Sequence, residues 1–405
     1  MIKFIEGGVC APNGFKAAGV HCGIRKGKLK KDLALIVSET AANAAAVYTT
    51  NLVKAAPVLV TRENLKNGRA SAMLCNSGIA NACVADGIEK ARGMCKLVSG
   101  ALGIPADNVI VASTGVIGQS LNLTPVAAGV AQLVKELSPQ KSAEAAQAIM
   151  TTDTIMKEVA VCVDIGGRNV KIGGIAKGSG MINPKLATML AFLTTDAEID
   201  SETLSAMLKD AAENSFNRVS VDGDTSTNDM LSIMANGKSG VKIGKSGDGS
   251  YAAFKQGLDA VCVHLAKLLA KDGEGATKMV ECAVKNAPDI AAAAKIADSI
   301  INSSLVKTAM FGEDANWGRI LCAAGYSGAA FDPQKTDISL RSAAGAVLVC
   351  QNGAGVDFSE EKAAEILKCN EITIDVNLNQ GSAAATAWGC DLSYDYVKIN
   401  GDYRT

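Results

Sequence analysis

The chain has 405 residues, of which 48% are hydrophobic, so it can bury a large core and suggests two or three packed units. Its 40 Lys and Arg residues nearly balance 41 Asp and Glu residues, for a net charge of −1. This balance excludes attraction of the whole molecule to nucleic acid or to an anionic membrane. The expected partner is a small molecule or another copy of the chain.

Cysteine usage and the N-terminal segment predict a cytoplasmic protein. The 12 cysteines are scattered, with no Cys-x-x-Cys pair, which is typical of small buried hydrophobes in a reducing compartment. Residues 1–8 lack the apolar core of a signal peptide, and no later segment is long and uncharged enough to span a bilayer. We therefore expect neither secretion nor membrane anchoring.

Histidine is scarce. The two that occur are His21 and His264, and His264 lies in a predicted helix, where packing is expected rather than catalysis. So few imidazoles disfavour both a serine or cysteine triad and a histidine-rich metal site. This scarcity favours a nucleophile that supplies its own base, and we expect no metal.

Short apolar runs that alternate with Ala-rich helical segments predict an α/β, or layered α+β, fold. In the first part of the chain, strands are expected at Lys31–Val37, Ala55–Val60, Ala72–Cys75 and Asn108–Ala112. Thr124 and Pro125 are expected as the N-cap and first residue of a helix. Ser138 and Pro139 are expected to open a second helix, which ends at Ile149.

The second part of the chain continues the alternation. Strands are expected at Val159–Asp164, Asn169–Ile175, Thr188–Leu193 and Ile372–Leu378, and helices at Ser201–Asn214 and Ser250–Lys271. The last helix is the clearest, because its apolar residues recur every three or four positions. Pro288 is expected inside the start of the next helix. We place a domain boundary there, giving domains 1–285 and 286–405.

Polar loops follow several predicted strands. Ser113–Gly118 follows the strand at Asn108–Ala112, and a glycine there lets backbone N–H groups turn toward a bound oxygen, while Thr114 adds a hydroxyl donor. Thr114 and Gly115 could thus form an oxyanion site, although such loops are also ordinary turns. The loop Asn76–Cys83 has the same two interpretations.

Thr188 stands at the start of an apolar run and follows the small residue Ala187. Its hydroxyl could attack the Ala187 carbonyl in an intramolecular acyl shift, and hydrolysis of the resulting ester would make Thr188 a new N-terminus. An α-amine has a pKa of about 7.7 to 8.0 and is partly neutral near pH 7, so this threonine would carry its own base. The alternative is an ordinary strand with a threonine as its first residue.

The wording Ala-Thr-Met-Leu at Ala187–Leu190, followed by Thr194–Ala197, resembles the self-cleaving threonine of the ornithine acetyltransferase family, the bifunctional glutamate N-acetyltransferases of arginine biosynthesis. Segments around Asp222, Glu274, Glu313 and Trp388 are similar to the family's in the same order. The resemblance covers essentially the whole chain. It implies cleavage into an alpha chain, 1–187, and a beta chain, 188–405, and a sandwich fold with a smaller C-terminal α/β domain.

The resemblance also implies roles for individual residues. Thr188 would be the nucleophile, and Thr114 and Gly115 would form the oxyanion hole. The residues expected to contact substrate are Thr151, Lys177, Glu274, Asn400 and Thr405, with Lys177 on the carboxylate and Glu274 at the amino-group end. Without the family resemblance, the threonines and Gly115 would be turn residues, and Lys177 would be a solvated lysine. Glu274 would belong to a helix stop signal, and the last residues would form a frayed tail. Ile79 departs from the family, which usually has Asn there.

The function implied is transfer of the acetyl group from N2-acetylornithine to glutamate through an acetyl-Thr188 intermediate, without a cofactor. Acetyl-CoA stays open as an additional donor. The expected assembly is a heterotetramer of two alpha and two beta chains. Two other functions fit the residues: a self-processing hydrolase of the aminopeptidase type, and an uncleaved small-molecule binding protein.

The loop Asp222–Asp229 has carboxylates and hydroxyls in a glycine turn, which could hold Mg²⁺ or Ca²⁺. No glutamate closes a twelve-residue calcium loop, and the family needs no metal. We expect a loop that lines the active site or serves the fold.

Overall fold

The computed structural model describes residues 2–25, 30–183 and 189–402. Ala187, Thr188 and Thr405, on which the resemblance places the cleavage site and one substrate contact, lie outside these ranges. Within the described ranges no helix is both long and apolar enough to cross a membrane.

Nine strands in the described part of the chain form one sheet, in the order β1-β6-β7-β8-β9-β3-β4-β5, with β2 paired to β3. The strands are β1 (Ile2–Ile5), β2 (Phe15–Val20), β3 (Leu33–Tyr48), β4 (Arg69–Asn76), β5 (Val109–Ser113), β6 (Lys157–Ile165), β7 (Arg168–Lys177), β8 (Leu190–Thr195) and β9 (Met230–Ala235). The helices that accompany them are α1 (Ala56–Asn64), α2 (Gly87–Leu102), α3 (Leu123–Glu136), α4 (Ser142–Ile149), α5 (Ser201–Glu213) and α6 (Gly249–Lys271).

The long strand β3 joins the two halves of this sheet. It pairs with β2 and β4 along its first part and with β9 along its last part, with a register shift between Val37 and Ala42. Successive side chains of a strand face opposite sides, so Ile36 packs with Phe192 and Met230 of the other half, while Leu35 packs under α2 and α3. Helices α5 and α6 cover the outer face of β6–β9. The layered α/β prediction is confirmed.

The rest of the chain forms a second sheet of six strands in the described residues, in the order β13-β12-β11-β14-β10-β15. The strands are β10 (Met279–Ala287), β11 (Asp337–Ser342), β12 (Gly345–Gln351), β13 (Ala354–Gly355), β14 (Glu371–Asn377) and β15 (Ala383–Cys390), and the helices are α7 (Ile290–Asn302), α8 (Ser304–Phe311), α9 (Trp317–Gly325), α10 (Glu360–Leu367) and α11 (Tyr394–Asp402). This sheet has its own apolar core. The division into 1–285 and 286–405 stays a prediction; β10 spans its boundary.

Four local predictions are wrong. Ala55–Val60 is not a strand, because α1 begins at Ala56 with Pro57 in its first turn, where the fixed φ of proline suits a helix. Thr124 is not a cap, since Asn122 caps α3 by accepting the Thr124 amide at 3.0 Å.

The second helix also begins later than predicted. Ser138 forms a bridge to Ala17 in β2, and α4 starts at Ser142. Pro288 precedes α7 rather than lying inside it, because Asp289 is the cap and accepts the Ala292 amide at 2.8 Å. Three of the four errors displace a helix start, and the fourth replaces a predicted strand by a helix.

Candidate active site

Two residues predicted for one site meet at the ends of β5 and β7. Thr114 follows β5, and Lys177 is the last residue of β7. The Lys177 ammonium donates to Thr114 Oγ1 at 3.4 Å, across 63 positions of sequence. Both side chains are buried, Lys177 with 3% and Thr114 with 8% of its surface exposed. The lysine is therefore not the solvated residue that a Gly-rich loop alone would suggest.

Gly115 adopts a backbone conformation that favours glycine. Its φ is +125°, and a Cβ at this position would lie 2.4 Å from the Gly78 carbonyl oxygen. The Val116 amide donates to that same oxygen at 3.2 Å, and Val116 accepts the Ala80 amide at 2.9 Å. Close approach of these two loops therefore excludes a side chain at position 115. Ile79, where the chain departs from the family, pairs with Val116 in this contact.

A cavity of about 670 Å³ opens beside this contact. It is lined by residues of both loops, by the turn after α4 and by the end of α11, including Gly78, Gly115, Arg25, Thr151 and Asp402. The volume lies in the range of small-molecule sites. Gly115 and Thr151, which the sequence assigned to one site, face the same cavity.

Asp153 connects Thr151 to the end of β7. Its Oδ2 accepts the Thr151 amide at 2.9 Å, and its Oδ1 accepts the Gly178 amide at 2.7 Å and the Lys157 ammonium at 2.8 Å. Burial alone would raise the pKa of Asp153, but the charges of Lys177 and Lys157 and the Gly178 amide lower that pKa below its ordinary value. The carboxylate is therefore ionised and holds the loop before β6 against the loop after β7.

Lys157 extends this network to the end of α6. Its side chain is fully buried and pairs with Asp272 as well as Asp153. Asp272 follows the last residue of α6 and also accepts the Thr154 amide at 3.1 Å. A buried charge is tolerated only when it is paired and hydrogen-bonded, and here each member has a partner. The network thus fixes the chain just before Glu274.

Glu274 lies against the Gly-rich loop and against α11. Its amide donates to the Ser179 carbonyl at 2.7 Å, and a Cβ on Gly180 would lie 2.3 Å from its Oε2. Asn400 of α11 donates to the same Oε2 at 2.9 Å. Asn400 and Glu274, 126 positions apart, are therefore brought together, and the polar tail is helical as far as Asp402 rather than frayed.

Burial shifts the pKa of two further groups near the end of β7. It lowers the pKa of Lys177, with Lys157 acting in the same direction and Asp153 opposing it. It raises the pKa of Asp229 well above the usual carboxyl range, against the opposing effects of the Met189 amide and Lys177. Strongly shifted pKa values that come from burial and specific charge partners are frequent at functional sites.

The described chain resumes at Met189, next to these groups. Leu190 of β8 pairs in register with Lys177 of β7 and with Met230 of β9. The Met189 amide donates to Asp229 Oδ1 at 2.8 Å. Met189 directly follows Thr188 in the sequence. The sheet therefore places the residue after the expected nucleophile near the end of β7.

Sequence reasoning missed Asp153, Lys157 and Asp272 as site residues. A usable signal was Lys157, because a lysine two residues before the predicted apolar strand Val159–Asp164 requires a buried acidic partner if the strand extends to it and is buried there. The sequence does not tell which carboxylate that partner is.

The fold and the site together define an α/β enzyme with buried charged residues beside a cavity of small-molecule size. The ArgJ family model matches residues 16–405, and the chain belongs to the ArgJ family. It is 50% identical, over the full length of both chains, to the arginine biosynthesis bifunctional protein ArgJ of Symbiobacterium thermophilum. It is 48% identical to that of Thermotoga neapolitana over 97% of this chain and 99% of the relative. The solved ArgJ chain of Bacillus halodurans matches with 43% identity and a TM-score of 0.50, over 52% of this chain and 98% of that chain.

Proposed function

We propose that this arginine-biosynthesis enzyme transfers the acetyl group of N2-acetylornithine to glutamate through an ester on Thr188. The products are ornithine and N-acetylglutamate. The observation that carries the proposal is the contact of buried Lys177 with Thr114. Lys177 lies on β7 and pairs with Leu190 of β8, which is two residues after Thr188 in the sequence. The names of the relatives, arginine biosynthesis bifunctional proteins, support the same pathway.

Cleavage precedes catalysis. Thr188 Oγ bonds to the Ala187 carbonyl carbon, the peptide C–N bond breaks, and the nitrogen takes the hydroxyl proton. Water then hydrolyses the ester, leaving a carboxylate on Ala187 and restoring the Thr188 hydroxyl beside its free α-amine. The Bacillus halodurans chain, which spans about half of this one, has the length expected of one fragment and supports this step.

Acetyl transfer then proceeds in two half-reactions. The α-amine takes the hydroxyl proton as Thr188 Oγ attacks the acetyl carbon, and Thr114 and Gly115 hold the oxyanion. The amide C–N bond breaks, and ornithine leaves with that proton on its nitrogen. Glutamate then attacks the ester with its amine, and its proton returns through the α-amine to Thr188 Oγ. The two amino acids occupy one site in turn, so kinetics are ping-pong.

Five residues hold the substrates. The Lys177 ammonium binds the carboxylate that both amino acids share, as a buried point charge can. Glu274, oriented by Asn400, binds the ammonium end of ornithine. Thr151, which lines the cavity, Asn400 and Thr405 add polar contacts.

The two fragments stay together as one unit and pair again, as a heterotetramer of two alpha and two beta chains. Acetyl-CoA serves as an additional acetyl donor for glutamate. We place the enzyme in the cytoplasm, because its 12 cysteines are unpaired thiols, as in a reducing compartment. An assay of glutamate acetylation with acetyl-CoA, in the absence of acetylornithine, tests the second donor.

Thr188→Ala tests the mechanism. The variant is expected to remain one chain by intact mass spectrometry and to lose acetyl transfer, because both steps use the same hydroxyl. Thr203→Ala is the control, since Thr203 lies in the first turn of α5, with its hydroxyl bonded to Asp200. A Thr188→Ala protein that still yields two fragments refutes the assignment.

The two other functions give different results in the same assays. A hydrolase releases acetate from acetylornithine at a rate that glutamate does not change. An uncleaved binding protein gives a single intact mass for the wild-type chain.

A further inference from the structure

The loop between α5 and β9 holds the chain on the N-terminal side of residues 183–188. Asp222 Oδ2 accepts the Met181 amide at 2.6 Å, and its Oδ1 accepts the Ile182 amide at 2.9 Å. In return the Ile182 carbonyl accepts the amides of Val221 at 2.9 Å and of Asp222 and Gly223 at 3.3 Å. The backbone of Met181 and Ile182 is thus held by one loop, through both amides and the Ile182 carbonyl.

The other end of the same loop holds the chain on the C-terminal side. Asp229 Oδ1 accepts the Met189 amide at 2.8 Å, and the Met189 carbonyl accepts the Met230 amide at 3.1 Å. Asp229 is only 1% exposed, so the Met189 amide is bonded to a buried carboxyl group. Water does not compete for a buried hydrogen bond, and the bond therefore fixes the backbone at Met189.

We propose that Asp222 and Asp229 are positioning residues for chain cleavage. They hold positions 181–182 and 189, so both ends of the six-residue segment that contains the Ala187–Thr188 bond are fixed by one loop. The inference rests on the proposed cleavage at Thr188. An intramolecular attack depends on the alignment of the reacting atoms, and fixing the flanking backbone in advance reduces the conformational entropy that the attack must overcome.

Two features favour this role over a metal loop. Both Asp222 oxygens are directed at backbone amides, Oδ2 at Met181 and Oδ1 at Ile182 and Asp224. In addition, Met181 has a φ of +56°, which is unfavourable for a side-chain-bearing residue. Strain of this kind persists only where the surroundings enforce it, and the Asp222 carboxylate enforces it here.

Asp222 also contacts the C-terminal helix, because the Tyr396 hydroxyl lies 3.2 Å from its Oδ2. This contact provides a matched control. Tyr396→Phe removes the contact with α11 and leaves both amide bonds to Asp222 in place, so it separates the two roles of the carboxylate.

The test measures how fast the newly synthesised full-length chain is cut, by intact mass spectrometry during cell-free synthesis, at a temperature well below the melting point of each variant. Asp222→Asn has one oxygen left for two amides, and Asp229→Ala has no acceptor for Met189, so each is expected to cleave about tenfold more slowly, as for one lost hydrogen bond. Asp229→Asn keeps an acceptor and Tyr396→Phe keeps the loop contacts, so both are expected to cleave at close to the wild-type rate.

The outcomes separate the inference from the proposed function. If Asp222→Asn and Asp229→Ala fold and are cut as fast as wild type, the positioning role is overturned while acetyl transfer by Thr188 stands. If Asp229→Asn is as slow as Asp229→Ala, hydrogen-bonded positioning by Asp229 is also overturned. If Asp222→Asn does not fold, the two Asp229 variants still decide. Absence of a Thr188 N-terminus in the wild-type protein contradicts the proposed function itself.

Discussion

An ion pair at the end of the first sheet and an ion pair on the second sheet differ in how deeply they are buried. At the end of the first sheet, Lys157 and Asp153 pair with 0% of either side chain exposed, and Lys177 is 3% exposed. On the second sheet, Arg341 pairs with Asp375 while half of the arginine side chain, 51%, remains exposed. Both sheets also have apolar cores between their strands and helices.

This difference indicates where the chain accepts a cost in stability. Removing charges from water is expensive, and a buried ion pair often stabilises a fold less than apolar side chains of the same size. An exposed pair is nearly neutral. Buried charges concentrated beside the cavity are therefore better explained by substrate binding and positioning than by folding, and the comparison can be tested directly.

The largest effect is expected from Lys177→Met. Loss of the buried ammonium removes the partner of the substrate carboxylate, and truncating one member of a buried charge pair costs about 2 to 5 kcal/mol. We therefore expect kcat/KM for acetyl transfer to fall by about a hundredfold or more. Arg341→Met, which removes the exposed pair on the second sheet, should leave kcat/KM unchanged, and equal losses in both variants would remove the distinction between the sheets.

Asp153→Ala should lower the free energy of unfolding more than the corresponding substitution on the second sheet. It leaves Lys157 and Lys177 without a shared carboxylate, and breaking a buried pair costs about 3 to 5 kcal/mol. Asp375→Ala on the second sheet should lower the free energy of unfolding by less than about 1 kcal/mol. Urea titration of both variants measures these changes. A similar small loss in each would show that the buried network is not under the electrostatic constraint inferred for it.

Asn400→Ala should have a smaller effect, confined to binding. The variant loses the hydrogen bond to Glu274, and one such bond contributes about 0.5 to 1.5 kcal/mol, or more when a charged group accepts it. KM for acetylornithine should rise about three- to tenfold with little change in kcat. Asn377→Ala, on the second sheet, is the control. A fall in kcat at constant KM would place Asn400 outside ornithine binding.

The smallest effect is a pH dependence of stability from Asp229. Burial raises its pKa in the folded state above the ordinary value of 3.8, so its contribution to stability is fully present below that value and is lost as the pH rises through the raised pKa. Asp229→Asn does not titrate. The variant should therefore gain stability relative to wild type as the pH rises above about 4 in thermal melts, whereas a constant difference would contradict the assigned shift.

Much of the fold could be predicted from residue pattern. The apolar spacing of Ser250–Lys271 predicted α6, and the runs at Val159–Asp164 and Asn169–Ile175 predicted β6 and β7. The run Ala55–Val60 was misassigned, because a short apolar segment fits a buried strand or a helix equally well. Packing decided it: as a helix, α1 places the Thr61 hydroxyl on the Val111 carbonyl of β5 at 2.7 Å.

For the site, the family wording in the sequence correctly indicated the ArgJ family, and it named Thr114, Lys177, Glu274 and Asn400 in advance. Their roles stay predictions, but the contacts of Lys177 with Thr114 and of Asn400 with Glu274 follow from the structure. Thr188 had to be identified from its local sequence motif alone.

The sequence by itself determined most of the secondary-structure elements and the family, because hydrophobic periodicity and short sequence motifs are properties of neighbouring residues. What only the tertiary structure decided is which charges are buried together. Lys157 meets Asp272 across 115 positions of sequence, and Asp222 meets Met181 across 41. The energy of a charge depends on the water and the partners around it in space, and those surroundings exist only after the sheets have packed.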